Sequence, residues 1–115
     1  MKIREISRLL DAKLYSGEEI LDREVYTGFC SDLMSDVLAY AENEAVLITG
    51  LVNPQVIRTA EMMDIVCLVF VRGKEPTEAM IKLAEERSIV LMSTEKRMFT
   101  SCGILHDAGL KSGDE

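Results

Sequence analysis

The chain has 115 residues, a formal net charge of −7, and 48% hydrophobic residues against only 5% aromatic, so one domain with an aliphatic and methionine-filled core is expected. A sequence pI near 4.7 leaves no basic face to release counterions from nucleic acid or to meet an anionic membrane surface. No apolar run reaches the roughly 20 residues of a membrane span, and Met1–Ile6 lacks the apolar core of a signal peptide, so a cytoplasmic chain is expected.

The first predicted element is a short helix with Ile3, Ile6 and Leu10 on one face. A short strand over Ala12–Tyr15 ends at Ser16-Gly17, a polar stretch runs from Glu18 to Arg23, and Glu24–Phe29 reads as a second, less regular strand. Ser31 is an N-cap candidate for a helix whose apolar stripe is Leu33, Met34, Val37, Leu38 and Ala41. Asp32 and Asp36 fall on one face of that helix, most simply as a solvated pair and otherwise as a cation site or an acid/base pair of an enzyme.

A unit then recurs three times: a wholly apolar run, a small polar turn and an amphipathic helix. The runs are Ala45–Ile48, Ile65–Val71 and Ile89–Met92; the turns are Thr49-Gly50, Arg72-Gly73 and Ser93-Thr94. Apolar runs without alternation are strands covered on both faces, which means a parallel sheet between helix layers. The helix after the first turn opens at Asn53-Pro54, the residue pair a helix start favours, and buries Val56, Ile57, Ala60 and Met63. The next, near Pro76, buries Ala79, Met80, Leu83 and Ala84. The last, from about Glu95, presents Met98, Phe99, Cys102 and Leu105 inward and stops at Ala108-Gly109. Residues 1–110 form one α/β domain, a three-layer α/β/α sandwich with a mainly parallel central sheet; residues 111–115 form a polar, frayed tail.

The chemistry is mostly defined by what is missing. There is no P-loop, no G-x-G-x-x-G after a strand, no H-E-x-x-H and no nucleophile elbow. The only histidine, His106, has no evident partner. Three cysteines at wide spacing, Cys30, Cys67 and Cys102, give neither a disulfide framework nor a metal knuckle; Cys67 is a core residue, Cys102 lies on the apolar side of the last helix, and Cys30 sits in a turn. No catalytic residue, metal or cofactor is expected. What remains is a polar rim at the carboxyl ends of the strands, where ligands of open α/β sheets sit. Thr49, Gly50 and Asn53 precede a helix N-terminus suited to an anion. Arg72 and Gly73 place a guanidinium on the same edge, its partner being a ligand or one of Asp32, Asp36 and Glu75, and Ser93 and Thr94 add hydroxyls. Turn and capping needs alone account for most of these residue types.

The stretch Val69–Pro76 followed by Ile81–Thr94, together with Leu47–Asp64, resembles the DRTGG domain, which is similar to the N-terminal domain of bacterial HPr kinase/phosphorylase. The resemblance covers about Lys2 to Leu110. It departs from the family pattern where Arg72-Gly73 stands in place of a common Gly-Gly. It implies a three-layer α/β/α domain that forms homodimers and acts as a regulatory or sensory module, often attached to CBS domains, a phosphate acetyltransferase or a kinase. It implies no catalytic residues. The leading expectation is a non-catalytic homodimer binding a small anionic metabolite or nucleotide at the rim. The alternative is a module docking on a partner enzyme without a small ligand. An uncovered sheet edge or the first helix would supply the dimer face.

Overall fold

The computed structural model describes residues 1–115. The elements are α1 (Ile3–Leu9), β1 (Lys13–Ser16), β2 (Thr27–Cys30), α2 (Met34–Tyr40), β3 (Ala45–Thr49), α3 (Pro54–Met62), β4 (Cys67–Phe70), α4 (Glu78–Arg87), β5 (Val90–Ser93) and α5 (Met98–Asp107), with a 3-10 turn at Glu18–Ile20. One five-stranded sheet runs in the order β1-β5-β4-β3-β2. The strands β2 to β5 are parallel neighbours, and β1 pairs antiparallel with β5. Because each crossover steps one strand in the same direction with the same hand, α2, α3 and α4 all fall on one face. There Val37, Val56, Ile57, Ala60, Met80 and Ala84 pack on Leu47, Leu68, Phe70 and Leu91. The other face carries α1 and α5, with Ile3, Ile6, Leu10 and Leu105 on Val46, Ile48, Val69 and Met92. Every residue of β3, β4 and β5 is buried, which is why those runs show no alternation.

Several local expectations are corrected. The helix expected from Ser31 starts at Met34, with Ser31 accepting a hydrogen bond from the Leu33 N–H at 3.0 Å in a tight turn. Asp32 therefore lies in the loop before α2 and shares no helical face with Asp36. Only Val37 of that stripe is fully buried; Leu33 and Leu38 are exposed because α2 packs at the rim of the sheet. Ala79 is likewise exposed. In α5 the inward positions are Ser101 and Leu105, with Met98 and Cys102 half-buried, and this rotates Phe99 outward to 91% exposure. Cys30 is the last residue of β2 rather than a turn residue. It is disulfide-bonded to Cys102, because α5 lies across β2 and brings together sulfurs 72 positions apart in sequence. The segment after Leu110 is tied down: the Gly28 N–H donates to the Lys111 carbonyl at 2.9 Å, and His106 meets Glu115 at 2.8 Å. No helix is long and apolar enough to cross a membrane.

Candidate functional site

The carboxyl ends of β2 to β5 lie along one edge. Thr49, Phe70 and Ser93 stand at one level of the sheet, since Thr49 registers with Phe70 and Phe70 with Ser93. The rim residues nevertheless divide into two groups with different surroundings.

The first group is centred on Gly50. Asp32 Oδ1 accepts from the Gly50 N–H at 2.6 Å and from the Thr49 hydroxyl at 3.1 Å. Thr49 Oγ1 also accepts from the Leu51 N–H at 3.1 Å, and Lys74 Nζ donates to the Gly50 carbonyl at 2.7 Å. The guanidinium of Arg72 lies alongside: a Cβ at Gly50 would fall 2.7 Å from Arg72 Nη2. Arg72 is exposed and takes part in none of the ion pairs of the chain. Its φ is +60° and that of Gly73 is +69°, two successive left-handed residues. The strained turn is fixed by the Arg72 N–H donating to the Lys96 carbonyl and the Gly73 N–H to the Thr94 carbonyl, each at 2.9 Å. Two left-handed positions explain why a Gly-Gly pair suits this turn.

The second group opens onto a cleft of about 310 Å³ beyond β5, between the loop that leads to α4 and the loop that leads to α5 on the opposite face. Gly73 and Ser93 line it, with Asp11, Glu75 and Glu95 against a single cation, Lys13. Glu75 is held below the usual carboxylate range by the Tyr15 hydroxyl and then by Lys13. The Tyr15 phenol is pushed up to about 12, chiefly by desolvation and then by its bond to Glu75. Three carboxylates against one lysine make this cleft unfavourable for an anion. No group of three or more His, Cys, Asp or Glu side chains is placed to hold a metal.

The two remaining expected residues have structural partners. Asn53 accepts from the Gln55 N–H at 2.9 Å and caps α3. Thr94 is buried, and its hydroxyl donates to the Leu10 carbonyl at 2.7 Å, pinning the loop after β5 to the end of α1. Ser93 donates to the Lys74 carbonyl at 2.6 Å. The edge thus brings Thr49, Gly50 and Arg72 together and sets Gly73 and Ser93 on the neighbouring cleft. Sequence reasoning missed Lys74, although its place two residues after Arg72 in the same turn was the available signal. It also put Asp32 on a helix, where its tie to Gly50 could not be seen.

Comparison with known proteins adds a family. The DRTGG domain model matches residues 5–108. The fold is similar to the crystal structure of the CBS and DRTGG domains of the regulatory region of Clostridium perfringens pyrophosphatase, complexed with its activator diadenosine tetraphosphate. The TM-score is 0.72 at 15% identity, over 90% of this chain and 45% of that one. This chain therefore spans less than half of that structure, and a likeness at such identity concerns the fold. No curated protein sequence matches the chain. The family match, in contrast, runs from α1 to the end of α5, and the chain belongs to the DRTGG domain family.

Proposed function

We propose that this domain is a non-catalytic regulatory module that works as a homodimer and binds a small anionic metabolite or nucleotide at the Arg72 corner of the strand-end rim. The observation that carries the reading is Arg72 itself. A left-handed arginine costs about 1 kcal/mol relative to an ordinary conformation, and this one is held at the sheet edge with its guanidinium in no ion pair, although the Asp32 carboxylate lies just across Gly50. Lys74 adds a second cation on the same turn, while Asp32 is engaged by Gly50 and Thr49. In this reading Arg72 is the anchor, Thr49 and Gly50 shape the surface beside it, Gly73 and Ser93 set the turn and the cleft wall behind it rather than touching the anion, and Asn53 and Thr94 hold the loops that carry it. Family membership supports a regulatory role, as does the presence of a DRTGG domain in the regulatory region of a pyrophosphatase crystallised with a nucleotide activator.

Thermal unfolding with inorganic phosphate, pyrophosphate, AMP, ATP and diadenosine tetraphosphate tests the reading. A ligand at 100 times its dissociation constant adds about 2.7 kcal/mol of stability, and Arg72→Ala abolishes that response. A full response from the Arg72→Ala protein refutes the site.

The docking alternative draws on Tyr26, Leu33 and Tyr40, exposed around β2 and α2. It predicts no response to any of these anions, and a stoichiometric partner enzyme lost on Tyr40→Ser.

A further inference from the structure

We propose that Cys30 and Cys102 are a reversible redox pair that governs the Arg72 corner. The disulfide keeps Asp32 on Gly50 and leaves the guanidinium free for an anion; reduction lets Asp32 close on Arg72 and shut the site. The proposal rests on the anion reading above and supplies its regulation.

The bridge is placed as a switch rather than as a staple of the fold. Its Cys30 end is exposed and its Cys102 end half-buried, so a low-molecular-weight thiol reaches the bond, and exposed disulfides are the labile ones. The fold does not depend on it. Apolar clusters of 14 and 13 buried residues cover the two faces of the sheet, a core of the kind that small disulfide-dependent domains lack. With the bridge open, Leu105 and Leu110 still seat α5 on the sheet, and the Gly28 N–H still donates to the Lys111 carbonyl.

The coupling follows from where Cys30 lies. It is the last residue of β2 and registers with Ile48 of β3. The Ser31 N–H donates to the Ile48 carbonyl at 3.2 Å, and Asp32 follows at once in the loop before α2. Asp32 Oδ1 accepts from the Gly50 N–H at 2.6 Å and from the Thr49 hydroxyl at 3.1 Å. Across Gly50, Asp32 Oδ1 and Arg72 Nη2 both lie within 3.4 Å of the point where a Cβ would stand, and both residues are exposed. The carboxylate is therefore one short swing from the guanidinium. Anchored through Cys30, the loop holds Asp32 on its two neutral donors. Released, Asp32 takes the charge-assisted partner, which is the stronger one, and Arg72 is lost to any other anion.

Opening is thiol–disulfide exchange with a small thiol of the glutathione type. Its thiolate attacks the exposed Cys30 sulfur, the S–S bond breaks, and Cys102 leaves as a thiolate that takes up a proton. A second small thiol resolves the mixed disulfide, freeing Cys30 and leaving as the small-molecule disulfide. The pair has then gained two electrons. Closure is the reverse, with the small disulfide as oxidant.

Isothermal titration of the full chain with the anions named above, in oxidised and in reduced glutathione buffers, tests the proposal. The oxidised chain is expected to bind at least about tenfold tighter than the reduced one, and by reciprocity the bound anion makes the bridge harder to reduce by the same factor. Asp32→Asn keeps an acceptor for the Gly50 N–H but cannot form an ion pair with Arg72, so it is expected to bind alike in both states. Equal or tighter binding by the reduced parent overturns the switch and leaves the anion site standing. A reduced Asp32→Asn protein that fails to bind also overturns it, since the loss then comes from α5 and not from Asp32. If neither redox form of the parent binds any of the anions, the site and its switch fall together.

Discussion

Gly50 and Arg72 exclude one another's side-chain space: a Cβ at Gly50 would stand 2.7 Å from Arg72 Nη2 and 3.4 Å from Asp32 Oδ1. The obstructing atoms are the far end of a flexible side chain, so Gly50→Ala is expected to fold with a loss of no more than about 1 kcal/mol. The added methyl displaces the guanidinium without removing its charge. Stability should stay nearly constant while the anion response collapses as it does in Arg72→Ala. Melting curves with and without pyrophosphate measure both; a Gly50→Ala protein that binds normally shows that the guanidinium need not lie over Gly50.

The strain at Arg72 gives the opposite signature. With φ at +60°, Arg72→Gly releases a left-handed conformation worth about 1 kcal/mol, offset in part by the greater freedom of glycine in the unfolded chain. The variant should melt slightly higher than the parent and bind no anion. Greater stability with lost binding separates a residue kept for a ligand from one kept for the fold. A lower melting temperature shows that the guanidinium stabilises the turn.

The Cys30–Cys102 link closes a loop spanning 72 positions of sequence, for which loop entropy gives about 4 kcal/mol of stabilisation. Reductant, or Cys30→Ser, should lower stability by up to that amount by loosening α5 from β2. Thiol titration in denaturant should find one free thiol, Cys67, before reduction and three after. Three reactive thiols without reductant, and a melt indifferent to dithiothreitol, contradict the pairing.

The sheet was legible in the sequence because burial on both faces erases alternation. Three uninterrupted runs, Ala45–Ile48, Ile65–Val71 and Ile89–Met92, contain most of β3, all of β4 and most of β5. Asn53-Pro54 marked the start of α3 because capping is local chemistry. Where tertiary placement decides, the pattern misled. Phe99 satisfies an apolar helical stripe as well as Leu105 does, and only the rotation of α5 on the sheet sends one out and the other in. At the rim, residue type gave no access to engagement. Thr94 and Thr49 read alike, yet one hydroxyl reaches back to Leu10 and the other to Asp32. The cysteine pairing was invisible for the same reason, since spacing along the chain carries no information about α5 lying on β2.

Alkaline pH should expose the burial of Cys67 and the setting of Tyr15. The Cys67 thiol is pushed up by burial from 9.0 to about 12. The Tyr15 phenol rises from 10.0 to about 12 through desolvation and its bond to Glu75. A raised pKa means that the folded chain keeps protons that the unfolded chain gives up, so stability falls with pH wherever the folded state binds more. Their contribution is complete below about pH 9, the ordinary thiol value, and is lost as pH climbs toward 12. Cys67→Ala leaves a small cavity and lowers stability near neutrality by roughly 1 kcal/mol, but it removes the thiol part of the alkaline decline. Tyr15→Phe, at an only half-buried position, removes the later part at little cost near neutrality. Urea midpoints measured from neutral to strongly alkaline pH should therefore show the Cys67→Ala curve starting below the parent and converging with it. Curves that stay parallel throughout would mean that the thiol reaches solvent in the folded chain, and with it that β4 is not sealed between its two helix layers.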